Sequence, residues 1–100
     1  MTAYWIAHVT VTDPTAYAGY QALAPAAFAA FGARFLARGG ASQVMEGPDL
    51  ARLVVIEFPS LQAARDCYAS QAYQDARRCR LGAATVHVVI VEGLPQDGVA

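Results

Sequence analysis

The segment Arg52–Phe58 constrains the fold most, because its aliphatic side chains occupy consecutive positions at Leu53, Val54, Val55 and Ile56. Successive side chains of a strand point to opposite faces, so this segment is apolar on both faces. Helices packed on one side of a small sheet cover only one of them. We therefore expect a sheet whose second face needs another cover, and a second copy of the chain is the simplest one.

Composition limits the chain to one compact domain and to few classes of partner. Its 100 residues are 56% hydrophobic, which is too apolar for a disordered chain. A formal net charge of −1 removes the usual electrostatic case for binding nucleic acid or an anionic membrane. All seven cationic side chains are arginines, which excludes Schiff-base chemistry on a lysine.

The sequence predicts a cytoplasmic protein. Its N-terminus lacks the basic region and following apolar run of a signal peptide. The most apolar stretch, Ala22–Ala33, falls short of the roughly 20 residues that a membrane span needs. Cys67 and Cys79 are too few for a disulfide framework, so we expect two reduced, inert thiols.

Strand and helix signals alternate along the first half of the chain. Tyr4–Val11 is β-branched and aromatic, which predicts a strand. A helix with its N-cap at Asp13 follows and ends at Gly32, and Pro25 predicts a kink or short break near its middle. The next predicted strand, Arg34–Arg38, is followed by two glycines that indicate a bulge or a closely approached backbone.

Extended structure is expected to resume at Ala41–Glu46 before the strand Arg52–Phe58. Ser60 is then the predicted N-cap of a second helix, and Ser70 begins a further helical turn or two. The last predicted strand is Val86–Val91.

This order, β-α-β-β-α-β, predicts a ferredoxin-like α+β sandwich with two helices on one face of a four-stranded antiparallel sheet. We expect a single domain over residues 1–93 and a loose tail over 94–100. Two such sheets packed face to face make an isologous homodimer with a shared, barrel-like interior, a dimeric α/β barrel.

Several segments together resemble one known family: Tyr4–Val9, Asp13–Tyr20, Gly32–Gly40, Arg52–Ser60 and Tyr68–Gln74. Over roughly residues 3–93 they are similar to the small bacterial proteins called domain-of-unknown-function family 1330. The resemblance implies the dimeric α/β-barrel superfamily, whose members include cofactor-free monooxygenases, lactone isomerases and haem-handling enzymes. It implies the fold and the dimer, but no established reaction.

Polar residues on the apolar strands are the candidate catalytic groups: His8, Arg38 and Glu57. An unpaired buried charge costs several kcal/mol, so such residues usually have a structural or functional role. We take the first and third strands to be parallel neighbours, which makes the three side chains converge near one end of the sheet. His8 is then a base for a proton next to a carbonyl, and Arg38 holds the enolate or carboxylate oxygen.

The alternative is structural. Arg38 and Glu57 then form an ion pair that orders the dimer interface, and His8 is a core histidine with its hydrogen bonds satisfied. The helical tyrosines are also open to two interpretations, because their spacing is that of residues packing on the sheet. A phenol can still orient a ligand carbonyl, so Tyr17, Tyr20 and Tyr68 are candidate ligand-binding residues.

We expect no metal site and no haem. His8 and His87 lie on strands predicted to be neighbours, but no third ligand is evident and no Cys/His pair has zinc-ligand spacing. Arg77, Arg78 and Arg80 form a short basic run that is typical of a solvated helix end.

Two functions remain open. The first is a cofactor-free enzyme acting on a small apolar or aromatic carbonyl compound by proton transfer or oxygenation. The second is a non-catalytic, homodimeric ligand-binding or structural module. RNA-binding modules of this topology carry stacking aromatics on the central strands, whereas Arg52–Phe58 has aliphatics there, which excludes that class.

Overall fold

The computed structural model describes residues 1–95 and forms one antiparallel sheet with three helices on one side. The elements in chain order are β1 Ala3–Val11, α1 Pro14–Ala29, β2 Arg34–Arg38, β3 Arg52–Phe58, α2 Leu61–Ala69, α3 Gln71–Arg80 and β4 Ala84–Glu92. The strand order is β2-β3-β1-β4, and every neighbouring pair is antiparallel. The predicted ferredoxin-like α+β fold is confirmed.

All three helices begin where the sequence places a cap. The side chains of Asp13, Ser60 and Ser70 each accept a hydrogen bond from the backbone amide three residues ahead, at 3.1, 3.0 and 3.2 Å. Such bonds satisfy one of the amides that the first helical turn leaves free. Ser70 is extended and separates α2 from α3, so the predicted turn or two is a helix of 10 residues.

Neither the short break expected at Pro25 nor the strand expected after the paired glycines is present between residues 14 and 58. The helix α1 runs through Pro25 without a break, because the loss of one backbone hydrogen bond does not outweigh the packing of Ala24, Ala27 and Phe28 in the core. Extended structure does not resume after the paired glycines: no strand lies between β2 and β3. The bulge falls earlier, between Phe35 and Ala37.

The sheet has two different faces, as its double apolar pattern predicts. Trp5 and Ala7 of β1, with Ile56 and Phe58 of β3, point toward the helices and are at most 5% exposed. We call this the covered face. The alternate residues point away from the helices and form the open face, whose apolar members include Ile6, Leu53, Val55, Val89 and Val91. No helix or strand of residues 1–95 covers them, and Val89 and Val91 are nearly half exposed.

The remaining expectations concern the thiols, the membrane and the tail. Both cysteines are free; Cys67 is fully buried, and that burial raises the pKa of its thiol to about 11.

No helix of the described residues is long and apolar enough to cross a membrane. Most of the predicted tail, residues 96–100, lies outside the described residues.

Candidate functional site

The structure does not bring His8, Arg38 and Glu57 together. The strands β1 and β3 are antiparallel, which corrects the expectation of parallel neighbours. His8 lies opposite Leu53, whereas Glu57 lies opposite Tyr4, which is four positions before His8 on β1. At about 3.3 Å per residue they are roughly 13 Å apart along the open face.

Arg38 lies on the other side of the sheet. It is opposite Val54, on the covered face, and its guanidinium carbon is 4.7 Å from the centre of the Phe35 ring. The alternative ion pair is also wrong, because Glu57 pairs with Arg34 at 3.1 Å. That pair is solvent-exposed at the edge of the open face, so it contributes little stability.

His8 and His87 face each other across β1 and β4, with ring centres 5.9 Å apart. The prediction that they lie on neighbouring strands is therefore confirmed. His8 is not the satisfied histidine of the structural interpretation, since its buried Nδ1 has no hydrogen-bond partner within residues 1–95. In the same part of the chain, no group of three metal-ligating side chains forms.

A cavity of about 40 Å³ lies instead between the covered face and the helices α1 and α3. Its apolar wall is formed mainly by side chains of the strands: Trp5, Ala7, Val9, Phe35, Val54, Ile56, Val86 and Val88. Its polar lining is Tyr17, Tyr20, Gln21, Arg38, Arg52, Tyr73 and Arg80. Among these, Gln21 and Arg38 are exposed and mark the outer edge of the cavity.

Three arginines of this lining have no carboxylate partner. The ion pairs of residues 1–95 are Arg34 with Glu57 and Arg78 with Asp75, and neither involves a cavity residue. Arg52 packs on Gly39, where an added Cβ would lie 2.7 Å from the guanidinium carbon. Gly39 also has a φ of +71°, a conformation that favours glycine, whereas the flexible end of Arg52 could move away from a Cβ. This is the close backbone approach that the paired glycines predict.

Arg80 is the most buried of the three, at 7% exposure. Its Nη2 donates a hydrogen bond of 3.1 Å to the Tyr73 hydroxyl, and its guanidinium carbon is 5.3 Å from the centre of the Tyr20 ring. Burial lowers the pKa of Arg80, but the hydrogen bond to Tyr73 and the nearby tyrosines outweigh it, so the net pKa is raised. Arg80 is therefore a buried cation and not part of a solvated helix end.

Tyr17 and Tyr20 remain neutral phenols. Burial raises the pKa of Tyr17, despite the opposing charges of Arg52 and Arg80. Burial also raises the pKa of Tyr20, whose hydroxyl is 3.4 Å from that of Tyr73. These hydroxyls can donate hydrogen bonds near neutral pH, but they cannot serve as bases there.

Tyr68, the third tyrosine candidate, does not line this cavity. Its ring packs 5.7 Å from Trp5 and 5.3 Å from Tyr73, and it is 38% exposed. It borders a more open groove of about 300 Å³, whose lining is Tyr68, Arg77, Arg80, Val86, Val88 and Ile90. Arg80 lies in the wall between cavity and groove, because it lines both.

Sequence reasoning missed Arg52, Tyr73 and Arg80 as candidate site residues. Arg52 shares its strand parity with the core residues Ile56 and Phe58, which places it on the covered face. Arg80 follows Tyr73 by seven residues, so both lie on the same face of α3. These two spacings are the signals that could have found them.

The model of the family described as "Domain of unknown function (DUF1330)" matches residues 2–94, which confirms the resemblance drawn from the sequence. No curated protein matches the chain.

Solved structures share the fold. A protein of unknown function from Rhodopseudomonas palustris is 19% identical, with a TM-score of 0.72 over 94% of this chain and 83% of that one. SnoaB, a cofactor-independent oxygenase from Streptomyces nogalater, is 12% identical, with a TM-score of 0.66 over 98% of each chain. A dimeric, ferredoxin-like protein of unknown function from Bacteroides fragilis is 11% identical, with a TM-score of 0.61 over 92% of this chain and 96% of that one. At these identities the likeness establishes the fold alone.

Proposed function

Because the chain belongs to the DUF1330 family, a family of unknown function, we propose its function from its own cavity. Each subunit of a homodimer binds a small apolar or aromatic carbonyl compound there and stabilises its enolate. The protein is then an enzyme that works without a cofactor, by proton transfer or oxygenation. The observation that carries this proposal is an apolar cavity lined by three arginines without a carboxylate partner within residues 1–95.

The arginines favour the binding of an anion in a cavity whose walls are otherwise largely apolar. A guanidinium stabilises negative charge much more strongly beside apolar walls than in water, because the effective dielectric constant is lower. Arg38, at the outer edge, is the residue we assign to the enolate oxygen. Tyr17 and Tyr20 are phenols at the same cavity and can donate to the carbonyl oxygen.

The lining also restricts the substrate. Within the described residues it contains no carboxylate, imidazole or thiol, so no side chain there is a base at neutral pH. The proton therefore passes to water, and the substrate must have an acidic C–H, such as one between two carbonyl groups. The resulting enolate is either reprotonated at another position or reacts with dioxygen.

The homodimer is proposed from the open face. Ile6, Val55 and Val89 lie on three neighbouring strands and form an apolar surface that a second copy of the same face can cover. The structural neighbour from Bacteroides fragilis is described as dimeric, which supports this arrangement. His8 then belongs to the interface and not to the cavity, and Glu57, paired with Arg34, lies at its exposed edge.

The second candidate is a ligand-binding module without catalysis. The specific observation in its favour is the same absence of a base from the described lining. An arginine-rich apolar cavity binds an anion whether or not a reaction follows. The two candidates differ in whether the bound compound exchanges its acidic proton.

Deuterium exchange separates the two. Acetylacetone and related 1,3-dicarbonyl compounds are incubated with the protein in D₂O, and loss of the acidic C–H signal is followed by NMR beside dioxygen uptake. We expect exchange above the buffer rate, and a fall of roughly 10²- to 10³-fold in Arg38→Met, as for the loss of an oxyanion donor. Arg34→Met, on the same strand but paired with Glu57 at the open face, is the matched control. Binding without exchange or dioxygen uptake favours the module.

A further inference from the structure

The environment of Arg80 is unusual for a cation. It is 7% exposed, its Nε has no hydrogen-bond partner within residues 1–95, and neither of its aromatic neighbours, Tyr73 and Tyr20, offers a carboxylate. Arginine is almost never fully buried unless it is paired. The groups around Arg80 stabilise its charge through a hydrogen bond and an aromatic ring, but within residues 1–95 none of them is a carboxylate.

Arg80 borders two spaces from which a ligand can approach it. Arg80 lies in the wall shared by the cavity and the larger groove, together with Val86 and Val88 of β4. An anion in either space reaches the guanidinium while its apolar part rests on the two valines.

We propose that Arg80 binds the carboxylate of a small organic acid. The planar guanidinium has five N–H donors in a fork that matches the two oxygens of a carboxylate. Tyr73 holds the guanidinium through its hydroxyl, as a positioning residue. The inference rests on the proposed function in that it assigns a carboxylate to the ligand of that same site.

The only tryptophan of the chain reports on this site. Trp5 lines the cavity, and its ring centre is 5.1 Å from that of Tyr73. Binding at Arg80 therefore alters tryptophan fluorescence. Benzoate and benzamide are suitable probes, because they have nearly the same shape and differ in charge.

The test titrates wild type, Arg80→Met and Arg78→Met with both probes. Arg78 is on the same helix, but it is exposed and paired with Asp75, so its variant is the matched control. We expect wild type and Arg78→Met to bind benzoate, and Arg80→Met to bind it about 10- to 100-fold more weakly, as for a lost charged hydrogen bond. Benzamide binds weakly to all three.

Thermal melting gives an independent measurement. Wild type and Arg80→Met are each melted with and without benzoate, so that each protein serves as its own baseline. Benzoate raises the melting temperature of wild type and not that of the variant. If Arg80→Met does not fold, Tyr73→Phe takes its place, and we expect weaker benzoate binding from the loss of the hydroxyl contact.

Three results would overturn the inference: no benzoate binding to wild type, equal binding of benzamide, or unchanged benzoate binding in Arg80→Met. Each leaves the enzyme proposal standing if neutral dicarbonyl compounds still exchange deuterium in an Arg38-dependent way. Conversely, Arg80-dependent benzoate binding without any exchange supports the carboxylate site and removes the enzyme proposal alone.

Discussion

The two faces of the sheet differ in what they bury and in where they place charge. The covered face packs Trp5, Ile56 and Phe58 under the helices, and each is at most 2% exposed. The open face is almost as apolar in sequence, yet it leaves Val89 and Val91 nearly half exposed. Composition alone does not distinguish these faces; the position of the helices does.

The paired charge is on the exposed face, and the charge without an anionic partner is on the buried side. On the open face Glu57 is paired with Arg34, although water is available there. On the covered side Arg80 is buried without an anion in the described residues. Since burial makes an unpaired charge expensive, the covered side has the arrangement that a ligand would complete, and the open face has the arrangement of an interface.

The largest effect is expected from removing the centre of the covered face. Trp5 packs against Phe28, Phe58 and Tyr73, with ring centres 5.0 to 5.9 Å away. Trp5→Ala should lower the free energy of unfolding by about 3–5 kcal/mol, as for other buried aromatic truncations. Urea denaturation of dilute protein measures this. A comparable loss in Val89→Ala, on the open face, would contradict the distinction between the faces.

The next effect concerns association. A carboxylate at the centre of the open face cannot be buried against a second apolar sheet, so Val55→Asp should dissociate the proposed dimer. Light scattering should give the mass of two chains for wild type and of one chain for the variant. Leu23→Asp adds the same charge at a position of α1 that is 48% exposed, and it should remain dimeric. A wild type with the mass of one chain would refute the proposed interface.

A smaller effect is the pH dependence of stability that follows from the burial of Cys67 on the covered side. Burial raises the pKa of Cys67 from 9.0 to about 11, so folding favours the neutral thiol. Its stabilising contribution is complete below pH 9 and is lost as the pH rises toward 11, because the unfolded chain releases that proton first. Urea denaturation at pH 8 and pH 10.5 should show a smaller loss of stability in Cys67→Ala than in wild type. Equal losses would show that burial of Cys67 is not the cause.

The smallest effect is expected at the exposed pair of the open face. Replacing both partners, by Arg34→Met and Glu57→Leu, should change the free energy of unfolding by no more than about 1 kcal/mol, since exposed pairs contribute little. Denaturation of the single and double variants measures their coupling. A coupling well above that value would mean that the pair is buried in the assembled protein.

The sequence is informative where local chemistry decides the outcome. Asp13, Ser60 and Ser70 cap helices as predicted, because a cap depends on a few neighbouring residues. The site is different, because it depends on strand direction and on which face the helices cover. His8 and Arg38 are both polar residues on apolar strands. Because these strands are apolar at odd and even positions alike, the sequence pattern does not show that the two side chains lie on opposite faces of the sheet.

We infer that the ligand site is on the covered side and the interface on the open face. One measurement tests this directly, because the two histidines and the single tryptophan lie on different faces. His8 and His87 lie on the open face, and Trp5 lines the cavity. In a proton NMR titration with benzoate, the indole N–H signal of Trp5 should shift while both histidine ring signals stay in place. Shifts of the histidine signals with an unchanged Trp5 signal would place the ligand on the open face and contradict the account.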